Sequence, residues 1–464
     1  MNNESLNEKE IKILRNAIDS ATYIMGKKLV QSDNIRNIIE ILENFLRSHK
    51  TICYGGTAVN NILPEQDRFY NKSIEIPDYD FFTPYAMDYA EKLANIYYKA
   101  GYQEVEAKSG IHTGTYKVYV NFIPIADITF LDKKIFDQLI KNSIKINAIN
   151  YCPPNFLRMA MYLELSRPMG DVSRWEKILK RLILLNNNYP LKGKNCQNLS
   201  FQREYEGNKE EQLTVYNITK KCFINQGVVF FGGYACSLYS KYMPYHEKKQ
   251  IDSIPDFDIL STDPYSCAII LKEQLNYNGF KNIKINKKNQ IGEYIDTHYE
   301  IILNNDVIAF IYKATACHSY NIININKSKI KVASIDTILT FYLIFIYSNR
   351  KYFDTNRLLC MAEYLFKVQL KNRLQQTGLL KRFTVQCYGK QKTLEDVREE
   401  KSKIYEKIKY NKKSKLYNMN FFRYIPKEKF DKKKIKTKTK TKIKTKTKTK
   451  TKIKTKTKTK TKRK

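Results

Sequence analysis

One pattern occurs twice in this chain, and it limits what the chain can fold into. Thr51-Ile52-Cys53-Tyr54-Gly55-Gly56-Thr57 is followed by Ile76-Pro77-Asp78-Tyr79-Asp80. Val228-Val229-Phe230-Phe231-Gly232-Gly233-Tyr234 is followed by Ile254-Pro255-Asp256-Phe257-Asp258. From Gly56 to Asp78 the gap is 22 positions, and from Gly233 to Asp256 it is 23. Each copy reads as a short strand, a glycine turn, a helix and a strand bearing Asp-x-Asp. A further helix then ends at Gly101 or Gly279, each a natural C-cap, and apolar strands follow. Order and spacing repeated over such a length mark an internal duplication.

Asp78 and Asp80 are two apart, so on a strand they point to the same face. A third carboxylate, Asp127, lies in the strand-like run Ile123–Phe130 and would pair with the alternating run Tyr116–Phe122 as a hairpin. Hard cations such as Mg²⁺ or Mn²⁺ prefer carboxylate oxygens. Two such ions can activate an attacking hydroxyl and offset charge on a phosphate. Gly55 and Gly56 let backbone N–H groups approach phosphates. The helix starting near Thr57 adds its positive end, and the Thr57 hydroxyl a further donor. Asp78, Asp80 and Asp127 are therefore the candidate metal ligands and catalytic carboxylates of the first copy. In the second copy, aligning Val307–Tyr312 on Ile125–Phe130 puts Ala309 where Asp127 stands. That copy keeps Asp256 and Asp258 but lacks the third ligand. It reads as degenerate, kept for architecture, RNA binding or dimer contacts.

The rest of the chain falls around these units. Residues 1–50 read as helical, with a capping box at Ser5 to Glu8 and Asp33 capping an amphipathic stripe of Ile35, Ile38, Ile39, Leu42, Phe45 and Leu46. Residues 51–190 form the first unit with its following helices, Phe156–Ser166 and Trp175–Leu185. Residues 191–225 are a linker, 226–350 the second unit and 351–430 a basic helical region. Residues 431–464 are nearly pure Lys-Thr alternation, which carries no apolar face and is expected to be disordered.

Net charge is +36, about half of it in that tail, which suits a polyanionic partner such as RNA. Nine cysteines without a C-x-x-C pair argue against a disulfide framework or zinc site and point to a reducing, intracellular compartment. The five histidines have no ligand spacing, and His112 reads as a loop residue. No apolar run reaches the length of a membrane span, and no signal peptide is apparent.

The ordered set Gly55, Gly56, Asp78, Asp80 and Asp127 resembles the DNA polymerase β-like nucleotidyltransferase superfamily. Ile76–Phe82, Gly110–Tyr116 and Arg174–Arg181 look like poly(A) polymerase catalytic subunits of large cytoplasmic DNA viruses, the mimivirus group above all. The resemblance implies an α/β (α+β) fold of tandem nucleotidyltransferase-like units, each a small mixed sheet flanked by helices. It implies template-independent addition of AMP from ATP to mRNA 3′ ends with two metal ions, and a homodimer. It places the protein in the host cytoplasm, in the virus factory, and also in the virion. In such enzymes the helices after the third aspartate line the nucleotide cleft. This makes Arg158, Ser166, Arg167, Arg174, Lys177 and Arg181 candidate triphosphate contacts, with Tyr162 or Trp175 stacking on adenine. A CCA-adding or oligoadenylate synthetase-like enzyme and a non-catalytic RNA-binding protein are the alternatives.

Overall fold

The apolar stripe of the N-terminal segment turns inward as its spacing requires. The computed structural model describes residues 6–201, 208–245, 254, 257–350 and 352–427. Ser5, Asp256 and the Lys/Thr tail, with the readings made for them, lie outside these residues. Helix α1 (Leu6–Val30) buries none of its side chains. Helix α2 (Asp33–Ser48) buries Ile35, Ile38, Leu42, Phe45 and Leu46. Its N-cap position is Ser32 rather than Asp33.

The first unit then runs β1 (Ile52–Tyr54), α3 (Gly55–Ile62), β2 (Tyr79–Thr83) and α4 (Ala86–Lys99). It continues through β3 (Val105–Ser109), β4 (Thr115–Val120), β5 (Ile123–Phe130), α5 (Lys133–Lys141), β6 (Ile144–Ile146) and β7 (Ile149–Tyr151). Helices α6 (Pro154–Leu165) and α7 (Trp175–Asn188) complete it. The alternation read in residues 116–122 is borne out: β4 and β5 form a hairpin whose turn places Asn121 and Phe122 at positive φ.

The second unit comprises α8 (Lys209–Asn225), β8 (Val229–Phe231), α9 (Gly232–Tyr239), β9 (Phe257–Ser261), α10 (Pro264–Tyr277) and β10 (Ile283–Lys288). Strands β11 (His298–Leu303), β12 (Asp306–Lys313), β13 (His318–Ile325) and β14 (Ser328–Ala333) follow, then α11 (Ile335–Phe345) and α12 (Thr355–Lys371). The last elements are β15 (Cys387–Tyr388), α13 (Leu394–Ile408), α14 (Lys415–Phe421) and β16 (Arg423–Tyr424).

The duplication is literal at the level of strand order. One eight-stranded sheet runs β16-β3-β4-β5-β2-β1-β7-β6 and the other β10-β11-β12-β9-β8-β14-β13-β15. Seven strands correspond, and the polarities agree across the centre. β1/β2 and β8/β9 are antiparallel, whereas β2/β5 and β9/β12 are parallel. The eighth strand of each sheet comes from the C-terminal region: β16 extends the first at β3, and β15 extends the second at β13.

The sheets do not form separate bodies; the chain through Tyr424 is one compact unit. Helix α11 is buried at all eleven of its residues and packs along α6. The Ser319 N–H donates to the Ser166 carbonyl at 2.8 Å, tying α6 to β13. The segment expected as a linker contains α8, which buries Val215, Thr219, Cys222 and Phe223.

Cysteine spacing argued against disulfides. The structure instead joins Cys196 to Cys360 and Cys317 to Cys387, across 164 and 70 positions. Pairing over such distances leaves no short spacing motif to read. Beside the first bridge, the Gly193 N–H donates to Glu363 and the Lys194 N–H to Asn356, both at 2.8 Å. Cys53, Cys152, Cys222, Cys236 and Cys267 are free and buried. Among the described residues no helix is long and apolar enough to cross a membrane.

Helix α11 carries one carboxylate, Asp336, into this interior. Arg382 grips it with Nε on Oδ2 and Nη2 on Oδ1, both at 3.0 Å, and Gln369 Nε2 adds a contact at 3.1 Å. Removing one partner of a buried pair leaves the other charge unsatisfied. Arg382→Met should therefore lose on the order of 3–5 kcal/mol of stability, read as a lowered urea midpoint.

Candidate active site

The site is built on the central strands of the first sheet. β1 ends at Tyr54, and Gly55 turns the chain into α3 with φ of 73°, a left-handed conformation that favours glycine. A Cβ at Gly55 would stand 2.5 Å from Asp80 Oδ2, so the turn lies directly against that carboxylate. Gly56, next in the chain, is packed beneath the Tyr70 hydroxyl and the Arg181 guanidinium.

Asp78 just precedes β2 instead of lying on it. The Thr57 hydroxyl donates to the Asp78 carbonyl at 2.6 Å, pinning this residue to the start of α3. That bond uses the hydroxyl expected to face a phosphate. Asp80 lies on β2 opposite Tyr54 on one side and opposite Asp127 of β5 on the other. The predicted juxtaposition of Gly55, Asp80 and Asp127 is thus present in the backbone pairing.

The electrostatics follow from this crowding. Burial pushes Asp80 up to about 7, and the carboxylates of Asp78 and Asp127 push in the same direction. Asp78 is raised by burial and then by Asp127. Lys117 counters both shifts, Lys177 acts on Asp78, and Arg174 acts on Asp80. Lys117, on β4, places Nζ 2.7 Å from Oδ1 and 2.5 Å from Oδ2 of Asp127. It is the main residue that reading the sequence missed. Counting back from the turn without a bulge puts Lys117 opposite Ala126. A register shift between Val118 and Tyr119 puts it opposite Asp127.

The donor set of three neighbouring carboxylates suits a hard divalent cation. Among the described residues, no three acidic, histidine or cysteine side chains already close on one point. Asp127 is turned onto Lys117, and a cation would have to take it from that ammonium.

The helix residues divide clearly. Arg174 and Lys177 are exposed at the start of α7, on the side of the acidic cluster. Arg174 also pairs with Glu164 at 3.5 Å. Arg167 is half-buried beside Glu164, and its Nε has no hydrogen-bond partner among the described residues. Arg158 is fully buried, with Nε donating to Asn186 at 2.6 Å and the other nitrogens to Asn155 and the Tyr189 carbonyl. It locks α6 to α7 and does not face a ligand. Arg181 donates to the Tyr70 hydroxyl at 2.7 Å and lies over the Phe69 ring.

Ser166 is also fully buried, its hydroxyl donating to the Leu163 carbonyl. Tyr162 is wholly interior. Trp175 is held by a 3.0 Å bond from Nε1 to the Glu164 carbonyl and packs near Phe383. His112 sits in an exposed loop.

The second sheet repeats the turn without the chemistry. Gly232 has the same φ of 73°, and a Cβ there would collide with Asp258 Oδ2. The residue opposite Asp258 on β12 is Phe310, not Ala309. Matching the two hairpins from their turns, Ile123 with Asp306, puts Phe310 at the place of Asp127, one residue beyond the alignment read from sequence. An apolar side chain still occupies the place of the third carboxylate.

A family profile described as "Poly(A) polymerase catalytic subunit" matches residues 40–171, the segment that holds Gly55, Asp78, Asp80, Lys117 and Asp127. The match is confined to that segment of the chain. A putative poly(A) polymerase catalytic subunit of Acanthamoeba polyphaga mimivirus is 31% identical over 188 residues, which is 40% of this chain and 31% of the relative. One of African swine fever virus (isolate Tick/Malawi/Lil 20-1/1983) is 28% identical over 174 residues, 36% of each chain. The chain thus spans about a third of the length of the curated relatives it matches. The crystal structure of the Megavirus polyadenylate synthase shares the fold at a TM-score of 0.76 and 20% identity, over 96% of this chain and 91% of that one. The poly(A) polymerase family match covers seven of the eight strands of the first sheet, and the structural likeness extends to the second.

The raised Asp80 gives a pH signature. Between its usual value of 3.8 and about 7, the folded protein holds a proton that the unfolded chain has released. Stability therefore falls as pH rises through that window and levels off above it. In metal-free protein, Asp80→Asn should raise Tm by a few degrees at pH 8. The gain should disappear near pH 4, as thermal scans in EDTA at the two values would show.

Proposed function

We propose that the first unit is a template-independent poly(A) polymerase that transfers AMP from ATP to the 3′ end of mRNA. The observation that carries this reading is the contact of the Gly55 turn with Asp80, which itself stands opposite Asp127, inside the segment matched to the poly(A) polymerase family. The RNA 3′-hydroxyl gives up its proton to solvent as its oxygen bonds to the α-phosphorus, the bond from that phosphorus to the bridging oxygen breaks, and pyrophosphate leaves. Asp78, Asp80 and Asp127 would hold Mg²⁺ or Mn²⁺, which when bound supplies the Lewis acidity for attack and departure.

The chain's own groups orient the reactants. N–H groups at Gly55 and Gly56 and the positive end of α3 face the triphosphate. Lys177 and Arg174 add exposed positive charge at the same cluster, and Arg167 lies behind them. Thr57 acts by fixing Asp78, and Ser166 by fixing α6 against β13, in place of the direct phosphate contacts first expected of them. The degenerate second unit serves as scaffold and as part of the RNA path. A homodimer, and residence in the virus factory and virion, belong to the same proposal and rest on resemblance to the viral relatives.

Elongation assays with a labelled RNA primer and each nucleoside triphosphate offered singly test this. ATP should support long tails. A short CCA end or 2′–5′ products would identify a different nucleotidyltransferase, and no metal-dependent incorporation would leave an RNA-binding protein. Asp78→Ala, Asp80→Ala and Asp127→Ala should each lower elongation by about a thousandfold or more with an unchanged circular dichroism spectrum. Asp258→Ala should retain most of the activity; its complete loss in a folded protein would move the catalytic role to the second unit.

A further inference from the structure

The two sheets carry the same cross-strand rung with different occupants. In the first, the rung runs Tyr54, Asp80, Asp127, Lys117. In the second, it runs Phe231, Asp258, Phe310, Glu300. The second sheet puts a phenyl ring in the place of the third carboxylate, and it puts a carboxylate in the place of the ammonium. Glu300 is satisfied from elsewhere, by Lys288 Nζ at 2.7 Å and Asn286 Nδ2 at 3.3 Å. Within one chain, then, the lysine is present where the third aspartate is present and replaced where it is replaced. An ordinary cross-strand ion pair serves either sheet equally, so general sheet stability does not account for the difference.

Resting on the reading of Asp78, Asp80 and Asp127 as cation ligands, we propose that Lys117 is a positioning residue that holds Asp127 in the cation's stead and competes with the cation for it. Its Nζ engages both Asp127 oxygens, at 2.7 and 2.5 Å. A charge-assisted contact of that kind fixes the direction of the carboxylate. It also offsets repulsion among three neighbouring carboxylates. A divalent ion requires at least one of the same oxygens, so it must displace the ammonium from that oxygen of Asp127. The lysine side chain is 34% exposed, and its flexible four-carbon stem lets the ammonium withdraw into water. The pair therefore stabilises the cation-free cluster and weakens cation binding by the same contact.

The test uses the full-length chain at pH 8, with Mn²⁺ binding followed by calorimetry and Tm measured in EDTA. Lys117→Met and Lys117→Gln should each bind Mn²⁺ at least about threefold more tightly than wild type and melt several degrees lower without metal. Lys117→Arg, which keeps the charge, should follow wild type in both. Unchanged or weaker Mn²⁺ binding in either folded, neutral variant overturns the competition. Absence of Mn²⁺ binding in wild type is a separate result, and it would sink the cation-site reading together with this inference.

Discussion

The parallel ladder between β2 and β5 is the constraint on which the candidate site depends. It sets Asp80 opposite Asp127, while the antiparallel partner β1 brings the Gly55 turn against the same carboxylate. Parallel strands need a crossover connection, and here α4, β3 and β4 supply it. The neighbours of the carboxylates on these strands are apolar and buried, Phe81 and Ile128 among them. Their burial stabilises the ladder, so it can hold like charges together that would separate on a mobile loop. The raised Asp80 marks its burial first and that enforced proximity second.

The second sheet supports the first through α11. Because α6 is packed between the sheets, its residues are turned inward more than a cleft-lining helix would allow. That explains why Arg158, Ser166 and Tyr162, read from sequence as nucleotide contacts, are interior residues. The charges that do face the acidic cluster, Arg174 and Lys177, come from the start of α7, where the chain emerges from this packing.

Much of the architecture was legible because duplication makes weak signals repeat. The glycine turns, the strands that follow them and the hairpins fall where period and spacing put them. Register was the part that sequence could not supply. A single-residue shift in the β4–β5 hairpin moves Lys117 from Ala126 to Asp127, and only the ladder between β9 and β12 shows that Phe310, not Ala309, holds the third position. Bulges of this kind leave no local composition to read. Both disulfides were invisible for a related reason, since their cysteines meet only after the sheets have formed. The helix expected to begin near Thr57 starts two residues earlier, at Gly55, because the turn itself already has helical bonding.

The first sheet is finished by residues made long after it begins. Ser109, at the end of β3, bonds the backbone N–H of Phe422 across 313 positions, and β16 then pairs along the same strand. At ribosomal rates of about 5–20 residues per second, this edge stays unpaired for roughly 15–60 s during synthesis. An open strand edge is a template for pairing with other chains. A nascent chain of this protein therefore carries an aggregation-prone border until Arg423 and Tyr424 have emerged from the ribosome.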